Sequence, residues 1–201
     1  MDTLSQLLLM LGAGMAASSS YRSADTHKEG PQTHLKVISL ACTFIALAAL
    51  ASLLLTGSDQ DSQTLNRMLS NLAVYAGLPL ISSALLALAR GWEWSRAAWG
   101  RWLLALFAMF ELCRRSGIGE GYSEGLMIAI SLSWLLATLT LSQGTTRLLL
   151  AGSAVLAGVA LLLFSPFTLF SSADLPLYNL TLAAALGLLG NQLRLLNRAS
   201  D

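Results

Sequence analysis

Apolar runs of membrane-crossing length, separated only by short polar stretches, constrain this chain more than any other feature of it. A spanning helix needs about 20 mostly apolar residues, within a range of roughly 17–25. Runs of that kind lie at 4–20, 35–56, 68–89, 97–113, 124–143, 147–165 and 177–196. Of the 201 residues, 55% are apolar and only 11% are charged, against about 25% charged in soluble domains. The pattern predicts an all-α fold: a polytopic membrane helix bundle of about seven transmembrane helices, forming a single integral-membrane domain over 1–201.

The basic residues orient this bundle. Lys and Arg concentrate in the short cytoplasmic loops of membrane proteins. With the N-terminus outside, Arg22, Lys28, Lys36, Arg90, Arg96, Arg101, Arg147, Arg194 and Arg198 fall on the cytoplasmic side; Arg67, Arg114 and Arg115 fall outside. The C-terminus is then cytoplasmic. The first run is preceded by Asp2 and by no Lys or Arg. A secretory leader carries a positive n-region, so this run reads as a retained, weak span. Its Gly12 and Ala16, with Gly14 and Ser18, have the small-xxx-small spacing that lets another helix approach closely. The expected location is the plasma membrane, which is the inner membrane if the source is bacterial.

Charge is kept away from the apolar runs with one main exception. The run at 97–113 leads into Glu111, Arg114 and Arg115, and a stretch with Gly117, Gly119 and Gly121 follows, carrying Glu120 and Glu124. Glu111 and Arg115 stand at i and i+4 in the favourable acid-first order. Ionisable residues at membrane depth are functional candidates by default. Glu111, Arg114, Arg115, Glu120 and Glu124 are therefore the candidate ligand-binding set, and an ion-paired helix end is the plainer explanation. The alternating glycines lack the GxGxxG spacing and read as a turn. In the third run, Asn71, Tyr75, Gly77 and Pro79 suggest a hinge or cavity wall, because Pro79 removes a helix hydrogen bond. Asn179 in the last run is expected to join them around a cavity open to the outer side.

The remaining features carry less. Trp92, Trp94, Trp99 and Trp102 lie among Arg90, Arg96 and Arg101; Trp and Arg at one level read as an interfacial belt, with a stacking cage as the sharper alternative. His27 and His34 fall in a polar stretch read as a loop over 21–36. Their spacing fits no metal-ligand motif, and the two cysteines, Cys42 and Cys113, form no CxxC. No lysine lies in the last run, which excludes a retinal Schiff base there. No catalytic set, metal site or cofactor is predicted. A net charge of +1 without a basic patch argues against nucleic acid as a partner.

Function is expected to lie in the membrane. The first reading is a non-catalytic accessory, sensor or assembly subunit, with the lipid bilayer and another membrane protein as partners. The alternative is a transporter of a small solute or of protons with a site near Glu111. The third is an outward-facing lipid head-group enzyme, in which Arg114 and Arg115 hold the phosphate of an anionic lipid and Glu111 or Glu120 acts as base.

Overall fold

The computed structural model describes residues 2–25, 29–55, 57, 59–140, 145–165 and 174–198. These form seven helical rods and, among the described residues, no strand. The rods are α1 (Asp2–Ala24), α2 (Glu29–Leu54), α3 (Gln60–Arg90), α4 (Arg96–Arg115), α5 (Gly119–Thr140), α6 (Thr145–Val159, continued by a π turn over Ala160–Phe164) and α7 (Leu175–Arg198). Among the described residues, three stretches are long and apolar enough to cross a membrane: Pro31–Leu54 in α2, all of α3, and α5. A shorter apolar helix runs over Leu148–Phe164.

Most rods are longer than their apolar runs because polar residues cap and extend them. The polar stretch 57–66, which lies between two of the apolar runs, is helical from Gln60. Asp59 takes extended backbone angles and its carboxylate accepts the N–H of Ser62 at 2.9 Å. Hydrogen bonds from the Ser62 side chain and backbone hold the Asp59 carboxyl below its ordinary range. The loop expected over 21–36 shrinks in the same way, since α1 runs to Ala24 and α2 starts at Glu29. His34 thus belongs to a helix and is buried. Pro31 fits there because the first helical turn needs no N–H from it.

Two glycines end helices by the same device. Gly91 has φ +63° and Gly117 has φ +75°. After α3, Trp92 N–H reaches Ala87 O at 2.9 Å and Gly91 N–H reaches Leu88 O at 3.3 Å. After α4, Ile118 N–H reaches Cys113 O at 3.1 Å and Gly117 N–H reaches Arg114 O at 3.4 Å. Both are Schellman closures, which favour glycine at the left-handed position. The glycine-spaced turn is therefore confined to Gly117, while Gly119 and Gly121 already lie in α5.

Pro79 does not break α3. A π turn over Ala73–Gly77 precedes it, with Leu78 N–H bonded to Ala73 O, and the helix resumes over Leu78–Arg90. The hydrogen-bond ladder is shifted before the proline is reached, so its missing donor is absorbed in a continuous rod. The expected hinge is thus a π bulge at the position of Tyr75.

Six rods pack in a closed circuit, α1–α2–α3–α5–α6–α7 and back to α1, with α4 resting outside against α3 and α5. The core holds Ile38, Ile81, Leu85, Met127, Ile130, Trp134, Leu161, Leu182 and Leu186, all nearly or wholly buried. The outward faces are also apolar: Leu4, Leu11, Leu104, Leu112, Leu132, Leu139 and Leu148 are all more than half exposed. Apolar surface that wraps several faces is out of place in water. Together with the three long apolar helices it marks the chain for membrane association.

Contacts along the rods define two ends. Ser52 Oγ donates to Asn66 Oδ1 at 3.1 Å where α2 ends and α3 begins, and the α4–α5 connection lies at this same end. At the opposite end His34 Nε2 meets Trp92 O at 2.6 Å, and Trp94 packs against Trp99 and Trp102 with ring centroids 4.8 and 6.3 Å apart. We call these the cleft end and the tryptophan end.

Candidate functional site

The cleft end takes its shape from the overhang of α3. At 31 residues this helix is about 46 Å long at 1.5 Å per residue. Its first part, Gln60–Leu72, has no buried residue. It stands as one wall of a cleft of about 1470 Å³, with the C-terminal turns of α4 and the first turns of α5 opposite. Gln60, Gln63, Thr64, Arg67, Met68 and Asn71 line the α3 wall; Phe107, Phe110, Glu111 and Arg114 come from α4, and Glu120, Ser123 and Glu124 from α5.

The floor is aromatic and closed. Tyr75, on the π turn, stacks on Phe110 with centroids 3.9 Å apart and planes at 22°. Its hydroxyl is 2.9 Å from Ser123 Oγ. Ser123 also donates to Gly119 O at 2.9 Å, so in the pair the tyrosine is the donor. The extra residue of the π turn rotates the polar half of α3 relative to its apolar half. That rotation lets Tyr75 face α4 and α5 while Ala76 and Leu78 stay in the core.

Glu111 is committed within its own helix. Arg114 grips its carboxylate with two bonds of 2.9 Å, and Arg115 Nε reaches Oε1 at 2.7 Å. All three side chains are substantially exposed, so water screens the fork. Glu111→Gln is accordingly expected to leave the melting temperature in detergent unchanged at moderate salt. A clear drop would mean that the fork holds α4 in place. No ion pair holds Arg67, Glu120 or Glu124 among the described residues. The uncommitted charges of the cleft are thus one cation on the α3 wall and two carboxylates at the start of α5.

Of the residues singled out from the sequence, Asn71, Tyr75, Glu111, Arg114, Glu120 and Glu124 line this one cleft. Arg115 does not line it. Gly77 and Pro79 are buried below the floor, where a Cβ on Gly77 would come within 3.2 Å of Ala41 O on α2. Asn179 is elsewhere: it is buried, its side-chain amide is 3.4 Å from Ser5 Oγ on α1, and it lines a separate apolar crevice beside Tyr178 and Leu182. It packs α7 against α1 and does not share the cavity expected for it. The sequence reading missed Gln60, Gln63, Arg67, Phe107, Phe110 and Ser123. Leu65, Met68, Leu69 and Leu72 do repeat at i, i+3, i+4 and i+7, a helical signal that signals an α3 wall but not which polar residues face the cleft.

No group of three or more His, Cys, Asp or Glu side chains is placed to hold a metal ion among the described residues. Cys42 and Cys113 are both buried and free. Compared with protein-family models, with curated proteins and with solved structures, the chain finds no significant match.

Proposed function

We propose that this chain is a multi-pass membrane protein that acts by binding, without chemistry of its own. In this reading it is an accessory or sensor subunit of the plasma membrane whose cleft end receives a polar ligand or the exposed segment of a partner. The observation that carries the reading is the cleft: polar walls and an aromatic floor at one end of an otherwise apolar bundle. A concave site that brings polar and aromatic side chains together is the usual place for a ligand. All seven rods are taken as spans, with the N-terminus and the cleft outside. The basic residues support that orientation, since most of them lie toward the tryptophan end. A hydrocarbon core of about 30 Å is too thin for all of α3, so the polar half of that helix, and the cleft with it, stands at or beyond the outer interface.

Carboxylates at Glu120 and Glu124 above an aromatic floor suit a ligand with a cationic group, which the ring faces also attract. Native mass spectrometry of the protein extracted from its own membrane in mild detergent tests the proposal. A stoichiometric partner or retained small molecule is expected, and it should be lost when Glu120→Gln and Glu124→Gln are combined. Retention unaffected by these changes would remove the cleft from the argument.

The Tyr75–Ser123 contact above a π bulge favours a second reading, a transporter of a small solute or of protons, in which that contact would be the gate. Reconstituted liposomes separate the two. Solute or proton movement that depends on Tyr75 would replace the binding reading with the transport one.

A further inference from the structure

We infer that the tryptophan end carries a site for an anionic phospholipid of the cytoplasmic leaflet, in the groove between α2 and α4. The inference rests on the membrane reading above. The groove has a volume of about 400 Å³ and Leu80 of α3 at its back. Its two walls are in matched order. From the end of the bundle inward, α2 presents Thr33, Lys36, Val37 and Leu40, while α4 presents Arg96, Trp99, Gly100 and Leu103. Each wall therefore has a cation at the mouth and aliphatic side chains at depth. A phospholipid has the same polarity along its length, with phosphate at the interface and acyl chains below it.

Two further observations point to an anionic occupant. Neither Lys36 nor Arg96 forms an ion pair among the described residues. Arg96 opens α4, whose N-terminus adds partial positive charge beside the groove. Trp99 lines the groove as a 4% exposed indole packed against His34 and Trp94, which makes this part of the wall rigid and apolar. Gly100 keeps the wall low, since a Cβ there would meet nothing within 4 Å. A zwitterionic lipid also carries a phosphate, but its own cation opposes Lys36 and Arg96. Basic pockets between helices on the cytoplasmic side are suited to anionic head groups on these grounds.

The test uses the whole protein in lipid nanodiscs of equal phosphatidylglycerol and phosphatidylcholine, released into a mass spectrometer. The wild type is expected to retain phosphatidylglycerol in preference. In Lys36→Gln with Arg96→Gln that preference should fall by about thirtyfold, since each basic residue near the surface contributes about fivefold. Lys36→Arg with Arg96→Lys should keep it and shows that the site tolerates substitution. Arg90→Gln, at the same end but off the groove, should also keep it. Equal retention of the two lipids by the wild type, or a preference that survives loss of both cations, overturns the site. Those results leave the membrane reading standing, because the protein has entered the disc. Failure to enter any disc would overturn both.

Discussion

Gly190→Ala is expected to destabilise the bundle by about 1–3 kcal/mol, the usual range for atoms forced into a packed interior, although the exchange raises helix propensity. A Cβ at Gly190 would lie 2.9 Å from Ala16 Cα and 3.1 Å from Ala16 N. These are backbone atoms of α1, so no side chain can move aside. The contact is reciprocal one turn earlier along α1, where a Cβ at Gly12 would lie 2.6 Å from Ala183 O and 3.2 Å from Ala183 Cα. Two glycines on parallel helices, each set against an alanine of the other, bring α1 and α7 together and close the circuit. In lipid, helices are drawn together mainly by van der Waals packing between close backbones. Gly12→Ala should therefore cost as much, and Gly12→Leu or Gly190→Leu more.

Gly14 and Gly187 provide the comparison within the same two helices. A Cβ at either meets nothing within 4 Å, so Gly14→Ala and Gly187→Ala should stabilise by about 0.5–1 kcal/mol through helix propensity alone. Thermal unfolding in a single detergent reads all four alanine variants. Opposite signs for Gly190 and Gly187 are expected; equal shifts would show that α1 and α7 do not meet as described.

That pair of helices also shows what could be read from the chain. Spacing offered two small-residue pairs on α1, Gly12 with Ala16 and Gly14 with Ser18; the first forms the contact face, while Gly14 and Ser18 are exposed. The partner itself was not legible: Gly187 and Gly190 are chemically alike, and only the rotation of α7 puts Gly190 at the contact. Hydropathy gave the number of rods, seven, although among the described residues three stretches are long and apolar enough to cross a membrane. It misplaced their ends because Asp59, Ser95 and Asp174 cap helices without being apolar; Asp174, for instance, accepts Leu177 N–H at 3.1 Å. The charged part of the cleft was legible as an exception to the pattern of charge. Its α3 wall was not, because an amphipathic overhang is averaged away over a window of about 20 residues. Pro79 marked the irregularity, but its form as a π turn over Ala73–Gly77 was not legible, since a proline indicates a lost hydrogen bond and not how the preceding turn adapts.

Tyr75→Ala is expected to have the second large effect, at the point where α4 is fastened. Tyr75 is 6% exposed, and truncating a buried aromatic to alanine costs about 3–5 kcal/mol. The floor of a cleft adjoins water, so the lower end of that range applies. Tyr75→Phe keeps the stack on Phe110 and removes one hydrogen bond, at a cost of about 0.5–1.5 kcal/mol. Ser123→Ala removes the same buried bond from the other side and should cost about 1–3 kcal/mol, since the tyrosine hydroxyl loses its serine acceptor. Stability alone would not show what the ring does for α4. Cys113 does: it is buried near the end of that helix, while Cys42 is buried within α2. Because α4 lies outside the circuit and touches α3 chiefly at the π turn, loss of the ring should let its last turns lift. Cys113 in Tyr75→Ala should then react with a membrane-impermeant maleimide applied from the cleft side, with Cys42 silent as the internal control. Tyr75→Phe should leave Cys113 protected, since the stack survives. If Cys113 stays unreactive in Tyr75→Ala while stability falls, the ring fills space without fastening the helix, and a gate at this position loses its mechanism.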